Sequence, residues 1–128
     1  MVPAAQRLAV LYDRDCGFCK WALDKILAWD RRRRLRPVAI QSDEGQHLLA
    51  AIAPEQRLES WHLVSHGEVR SAGAAAPQLF EALPGGRPLA ALLRASPRLT
   101  ERAYRWVAEH RAPLARLLRI DARCELRR

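Results

Sequence analysis

Leu8-Ala9-Val10-Leu11-Tyr12-Asp13-Arg14-Asp15-Cys16-Gly17-Phe18-Cys19 is the stretch that decides the fold class. Its first five residues are an apolar run that stops at Asp13, the pattern of a short buried strand. From Cys16 the pattern turns helical. Cys19, Ala22, Leu23, Ile26 and Leu27 recur at spacings of three and four and make one apolar face. This predicts a helix from Cys16 to about Arg33. Two cysteines three positions apart therefore fall where a strand gives way to a helix.

Outward from there, Leu35 to Ile40 reads as a second strand. Pro37 cannot donate to a ladder, which predicts a sheet edge. Ser42 is placed to cap a helix whose first turn holds Asp43 and Glu44, which carries Leu48, Leu49 and Ile52 and stops before Pro54. Ser60 to Ser65 reads as a third strand, His66-Gly67-Glu68 as a hairpin turn, and Val69-Arg70-Ser71 as a fourth strand. Gly73 leads into a helix with Ala75, Ala76, Leu79, Phe80 and Leu83, closed by Pro84-Gly85-Gly86. Ser96-Pro97 and Pro113 each open a further helix. The expected class is an α/β sandwich: a four-stranded mixed sheet flanked by helices, with extra C-terminal helices. One domain is expected over 1–128, with a core at about 7–84 and a helical extension at about 87–120.

Bulk composition narrows the function classes. At 128 residues, 49% hydrophobic and 28% charged, the chain reads as globular, with length enough for one core. No apolar run approaches the roughly 20 residues of a membrane-spanning helix. Met1 to Arg7 holds no long apolar stretch of the kind a signal peptide needs. A cytoplasmic location without a membrane span is expected, and there a close cysteine pair is more often redox-active or metal-binding than a staple. The formal charge is +8, nearly all from arginine, since Lys20 and Lys25 are the only lysines. Arg31 to Arg34, the densest cluster, suits a helix C-terminus.

The cysteine pair carries the chemistry. Unpaired N–H groups and the dipole at a helix N-terminus stabilise a thiolate, the nucleophile of disulfide exchange. Cys16 is thus expected to attack, and Cys19, one turn along, to resolve the mixed disulfide. Gly17 leaves the approach open. Asp13 and Asp15 have two readings: a carboxylate that takes or relays the proton of Cys19, or a loop carboxylate that caps the helix. A carboxylate there also raises a thiol pKa, against which Arg14 and Lys20 are the nearby cations.

These residues resemble the signature of the DCC thiol-disulfide oxidoreductase family, in Tyr12-Asp13 and Asp15-Cys16-Gly17-Phe18-Cys19. The resemblance extends over Asp30, the basic stretch after it, Leu35 to Ser42, Ser71 to Ala76, and Tyr104, Ala108 and Arg111. It implies a thioredoxin-like fold and protein-disulfide reductase activity, with no cofactor. A protein or small-molecule disulfide would be the substrate and a thiol the reductant. Two positions depart from the pattern. Arg14 stands where the family usually has glycine, and Leu58-Glu59-Ser60-Trp61 lacks the cis-proline that often precedes the third strand of this fold.

Other readings compete. A zinc site needs four ligands, and Cys124, His47, His62, His66 and His110 form no second close pair. Cys124 is either a third redox partner or a passive thiol. Trp29, Trp61 and Trp106 read as packing residues, whereas Trp21 is close enough to Cys19 to flank the thiols. Asp13-Arg14-Asp15 after an apolar strand also matches an aspartate-nucleophile phosphatase, but the Gly-Thr that usually follows is absent. Finally, Arg98, Arg102 and Arg105 share a helix face, with Arg111, Arg116 and Arg119 beyond, so a basic module for nucleic acid or an anionic surface is the non-enzymatic alternative. No nucleic-acid-binding motif accompanies that stripe, and no specific nucleic-acid partner is expected.

Overall fold

The computed structural model describes residues 7–118. Cys124 and Arg119 lie outside them. Four strands, β1 (Leu8–Tyr12), β2 (Leu35–Ala39), β3 (His62–Ser65) and β4 (Glu68–Ser71), form one sheet in the order β2-β1-β3-β4. β1 and β2 are parallel, and the other two pairings are antiparallel. The sheet is thus mixed, and helices cover both faces in a thioredoxin-like arrangement.

Alternation along the strands sorts the core. Val10, Leu35 and Leu63 face α1 (Gly17–Trp29) and α3 (Ala76–Ala82), packing on Leu23, Leu27, Leu79 and Leu83. Ala9, Leu11, Val38 and Val64 point the other way, toward Leu49 and the end of α2 (Asp43–Leu48). Leu27, Leu35 and Leu63 are fully buried, each contributing about 1.5–3 kcal/mol through lost apolar exposure.

β2 is an edge strand, as Pro37 requires; it pairs with β1 alone, Pro37 opposite Val10. The β3–β4 turn is the two-residue loop His66-Gly67, with Glu68 already opposite Ser65. Both loop residues have positive φ, 50° and 81°, as a twist-matched hairpin demands. The peptide bonds ahead of β3 are all trans.

Helix ends differ from the sequence pattern where a specific bond intervenes. α1 stops at Trp29 because Asp30, fully buried, turns the chain: its carboxylate accepts from the N–H groups of Arg34 (3.0 Å) and Leu35 (2.9 Å). Arg31 to Arg34 therefore form the exposed turn beyond the helix rather than its last turn. α2 is capped by Ser42 as expected but ends at Leu48, short of Ile52. A 3₁₀ turn (Ala72–Ala75) precedes α3.

Three further helices follow: α4 (Arg87–Ala95), α5 (Pro97–Glu109) and α6 (Arg111–Leu117). α6 starts two residues before Pro113, which sits in its first turn, where a missing N–H is harmless. α5 lies on the 3₁₀ turn and α6 on α1. The close approach of α5 needs Gly73, since a Cβ there would sit 2.9 Å from the Cα of Glu101. The Gly73 N–H also donates to the Glu101 carboxylate at 3.1 Å. No described helix is long and apolar enough to cross a membrane.

Candidate active site

The loop from β1 into α1 is built on Asp13. Its Oδ1 accepts from the N–H of Asp15 at 2.9 Å and from Gln41 Nε2 at 2.7 Å. Gln41 returns Oε1 to the N–H of Arg14 at 3.0 Å. The end of β2 thus clamps the loop, held in register by the Ile40 N–H donating to the Tyr12 carbonyl at 2.9 Å. Asp13 braces the loop and does not cap α1, whose N-cap is Cys16, and its field also reaches Cys16. Asp15 contributes its backbone N–H, and its side chain is exposed.

Cys16 is itself the N-cap of α1. Its backbone is extended (φ −96°, ψ 108°), its carbonyl accepts the first helical bond from Lys20, and its Sγ accepts from the N–H of Cys19 at 3.4 Å. Sulfur replaces the oxygen that usually satisfies an unpaired N–H there. α1 has no acidic residue in its first turn to oppose a thiolate.

The two thiols are poised differently. Cys16 is held down at about 6, against an ordinary 9.0. The hydrogen bond from the Cys19 thiol is the largest cause; burial opposes it, and the Cys19 N–H and the Arg111 charge add to it. Asp13 works in the other direction. Cys19 is pushed up by the bond it gives Cys16, by burial and by the Cys16 charge, while Arg111 pulls it down. Among the cations, then, it is Arg111, rather than Arg14 or Lys20, whose charge bears on both thiols.

Arg111 belongs in the sequence both to the basic stripe and to the stretch with Tyr104 and Ala108. At the start of α6 it turns inward. Nε donates to the Ala108 carbonyl at 3.1 Å, and Nη1 to Cys19 Sγ at 3.7 Å. The signal was the stretch Tyr104, Ala108 and Arg111, which sets Arg111 just past the end of the helix that carries the other two. Elsewhere in the stripe, Arg105 pairs with Glu101 at 3.5 Å.

A cavity of about 530 Å³ opens on Cys19. Asp13, Phe18, Trp61, Tyr104 and Arg111 share its wall with that thiol. Trp21 is not on the wall; it packs against Phe18 (6.1 Å between ring centres) with Lys25 over its ring. Tyr104 has its hydroxyl tied to the Trp61 backbone, and burial raises its pKa. His62 is fully buried in β3, its Nε2 on the Arg57 carbonyl (2.8 Å) and its Nδ1 on Ser71 Oγ (2.6 Å), so it serves packing. Among the described residues no three His, Cys, Asp or Glu side chains group as a metal site would require.

Comparison with known proteins places this arrangement. No solved structure matches the chain. A curated relative, the uncharacterized protein YuxK of Bacillus subtilis (strain 168), is 29% identical over 104 residues, which cover 80% of this chain and 76% of YuxK. The family model for DCC1-like thiol-disulfide oxidoreductase matches residues 10–117, from the middle of β1 to the end of α6. With so much of the fold and both thiols inside that match, the chain belongs to the DCC1-like thiol-disulfide oxidoreductase family.

Proposed function

We propose that Cys16 and Cys19 are the working dithiol of a disulfide reductase. The observation that carries this reading is that the two sulfurs are served by different donors: Cys16 by Cys19, and Cys19 by Arg111. In the reduced protein one proton is shared and sits on Cys19. The Cys16 thiolate attacks one sulfur of a disulfide R–S–S–R′, forming Cys16–S–S–R and releasing R′S⁻. Cys16 then no longer carries a charge, so the bond and field that held the proton on Cys19 vanish. Arg111 remains and favours the Cys19 thiolate. Cys19 gives its proton to Asp13, across the same cavity, for delivery to the departing thiolate. It then attacks Cys16 Sγ, closing the Cys16–Cys19 disulfide and expelling RS⁻. The net change is dithiol plus disulfide to disulfide plus two thiols, and an external thiol reductant restores the pair. Asp15 holds the loop through its N–H and leaves the proton to Asp13.

Turnover tests this. With dithiothreitol as reductant, insulin and 2-hydroxyethyl disulfide are the substrates. Cys16→Ser is expected to lose activity outright, and Cys19→Ser to fall at least a hundredfold in steady state, because an intramolecular release step is lost. Wild type inactive on both substrates, or a double serine variant as active as wild type, would reject the reading and favour a basic binding module.

A further inference from the structure

The cavity beside Cys19 has more room than disulfide exchange itself requires. Protein interiors leave few voids larger than a water molecule. This one measures about 530 Å³, in the range of sites for drug-sized ligands. The space exists because α1, α3 and α5 present small residues to it, Ala22, Ala76, Ala103 and Ala108, and Gly73, against which α5 packs, closes one part of its wall.

The polar groups on the wall are mostly engaged by the protein. Thr100 gives its hydroxyl to the carbonyls of Leu93 and Ser96, at 3.0 and 2.9 Å. Tyr104 is bound to the Trp61 backbone, Arg111 to Ala108 and Cys19, and Asp13 to Gln41 and Asp15. What faces an occupant is Phe18, Ile26, Trp61, Phe80 and Val107, with Cys19 as the one sulfur on the wall. A volume this large exceeds a single side chain, and the wall is drawn from the sheet and five helices. A wall that converges on one space from the sheet and from all of α1, α3, α4, α5 and α6 suits a compact molecule rather than an extended peptide.

We propose that this cavity binds the apolar part of a small-molecule disulfide, an aromatic or aliphatic group of several carbons, and so selects the substrate of the dithiol. The inference rests on the oxidoreductase reading for its chemistry, which is the balanced exchange given above, and on the cavity for its specificity.

The probes are unreactive thioethers, S-methyl-, S-butyl- and S-octylcysteine, titrated into wild type with calorimetry as the readout. Their cysteine mixed disulfides serve as the matching substrates. Affinity is expected to rise about two- to fourfold per methylene until the space is filled, and kcat/KM on the disulfides to rise in proportion. Ala22→Phe and Ala108→Phe, from different helices, should each flatten the series while circular dichroism shows the fold retained. A flat thioether series in wild type, or an unchanged slope in both folded variants, would overturn the cavity assignment even if 2-hydroxyethyl disulfide is turned over. A rising thioether series with no turnover of any disulfide would instead overturn the substrate assignment together with the oxidoreductase reading.

Discussion

Cys16 illustrates how far single residues could be read. Its place at the head of a helix follows from the apolar run before it and the three-four spacing after it, so its expected reactivity needed no structure. What was illegible was the charge balance around it. Asp13 and the nearby cations oppose one another, and the deciding cation, Arg111, is 92 residues from Cys19 in the chain. Only the docking of α6 on α1 brings it there. The pH dependence of alkylation follows from these contacts. Cys16 should react with iodoacetamide with a midpoint near pH 6, half thiolate there and saturating above it. Cys19→Ala removes the principal donor and Arg111→Met removes a positive charge, so both should move the midpoint up. Asp13→Asn removes a negative charge and should move it down. Peptide-mapped labelling from pH 4 to 9 measures all three. A downward shift in Arg111→Met would contradict the role given to that guanidinium.

At the scale of elements, the strands were more legible than the helix ends. A continuous apolar run placed β1, and the readings at Leu35 to Ile40 and Ser60 to Ser65 placed β2 and β3 within a residue or two, because the sheet is covered on both faces. Helix ends depend on local bonds that periodicity does not register. α1 ends where Asp30 captures two backbone N–H groups, short of the end at about Arg33 that the sequence predicts. The β3–β4 hairpin was legible from His66-Gly67-Glu68, but its loop is the two residues His66-Gly67, both at the positive φ that such a loop requires, and Glu68 already pairs in β4. Gly67→Ala isolates that requirement. Nothing lies within 4 Å of the added methyl, so the cost is backbone strain alone. Urea unfolding should show a loss of about 1–2 kcal/mol with the denaturant slope unchanged. No loss would mean that the turn relaxes to another type.

Across the whole molecule, the mixed four-stranded sheet with helices on both faces was foreseeable from element order, and the family resemblance pointed the same way. The cavity was not. It arises from small residues on three helices, none of which signals a void by itself. The basic stripe is a second case: the arginines of α5 and α6 look alike in sequence, yet the fold turns Arg111 inward and leaves others at the surface. The sheet, α1 and α6 thus converge on two sulfurs with unequal donors, and the account stands on their division of labour. Trapping measures it most directly. Reduced Cys19→Ser protein is mixed with 2-hydroxyethyl disulfide, quenched with acid and analysed by intact-mass and peptide mass spectrometry. The account predicts a stable mixed disulfide on Cys16 in most of the protein, while wild type passes to the Cys16–Cys19 disulfide and Cys16→Ser acquires little adduct on Cys19. An adduct carried chiefly by Cys124, or by Cys19 in the Cys16→Ser protein as fast as by Cys16 in its counterpart, would contradict it.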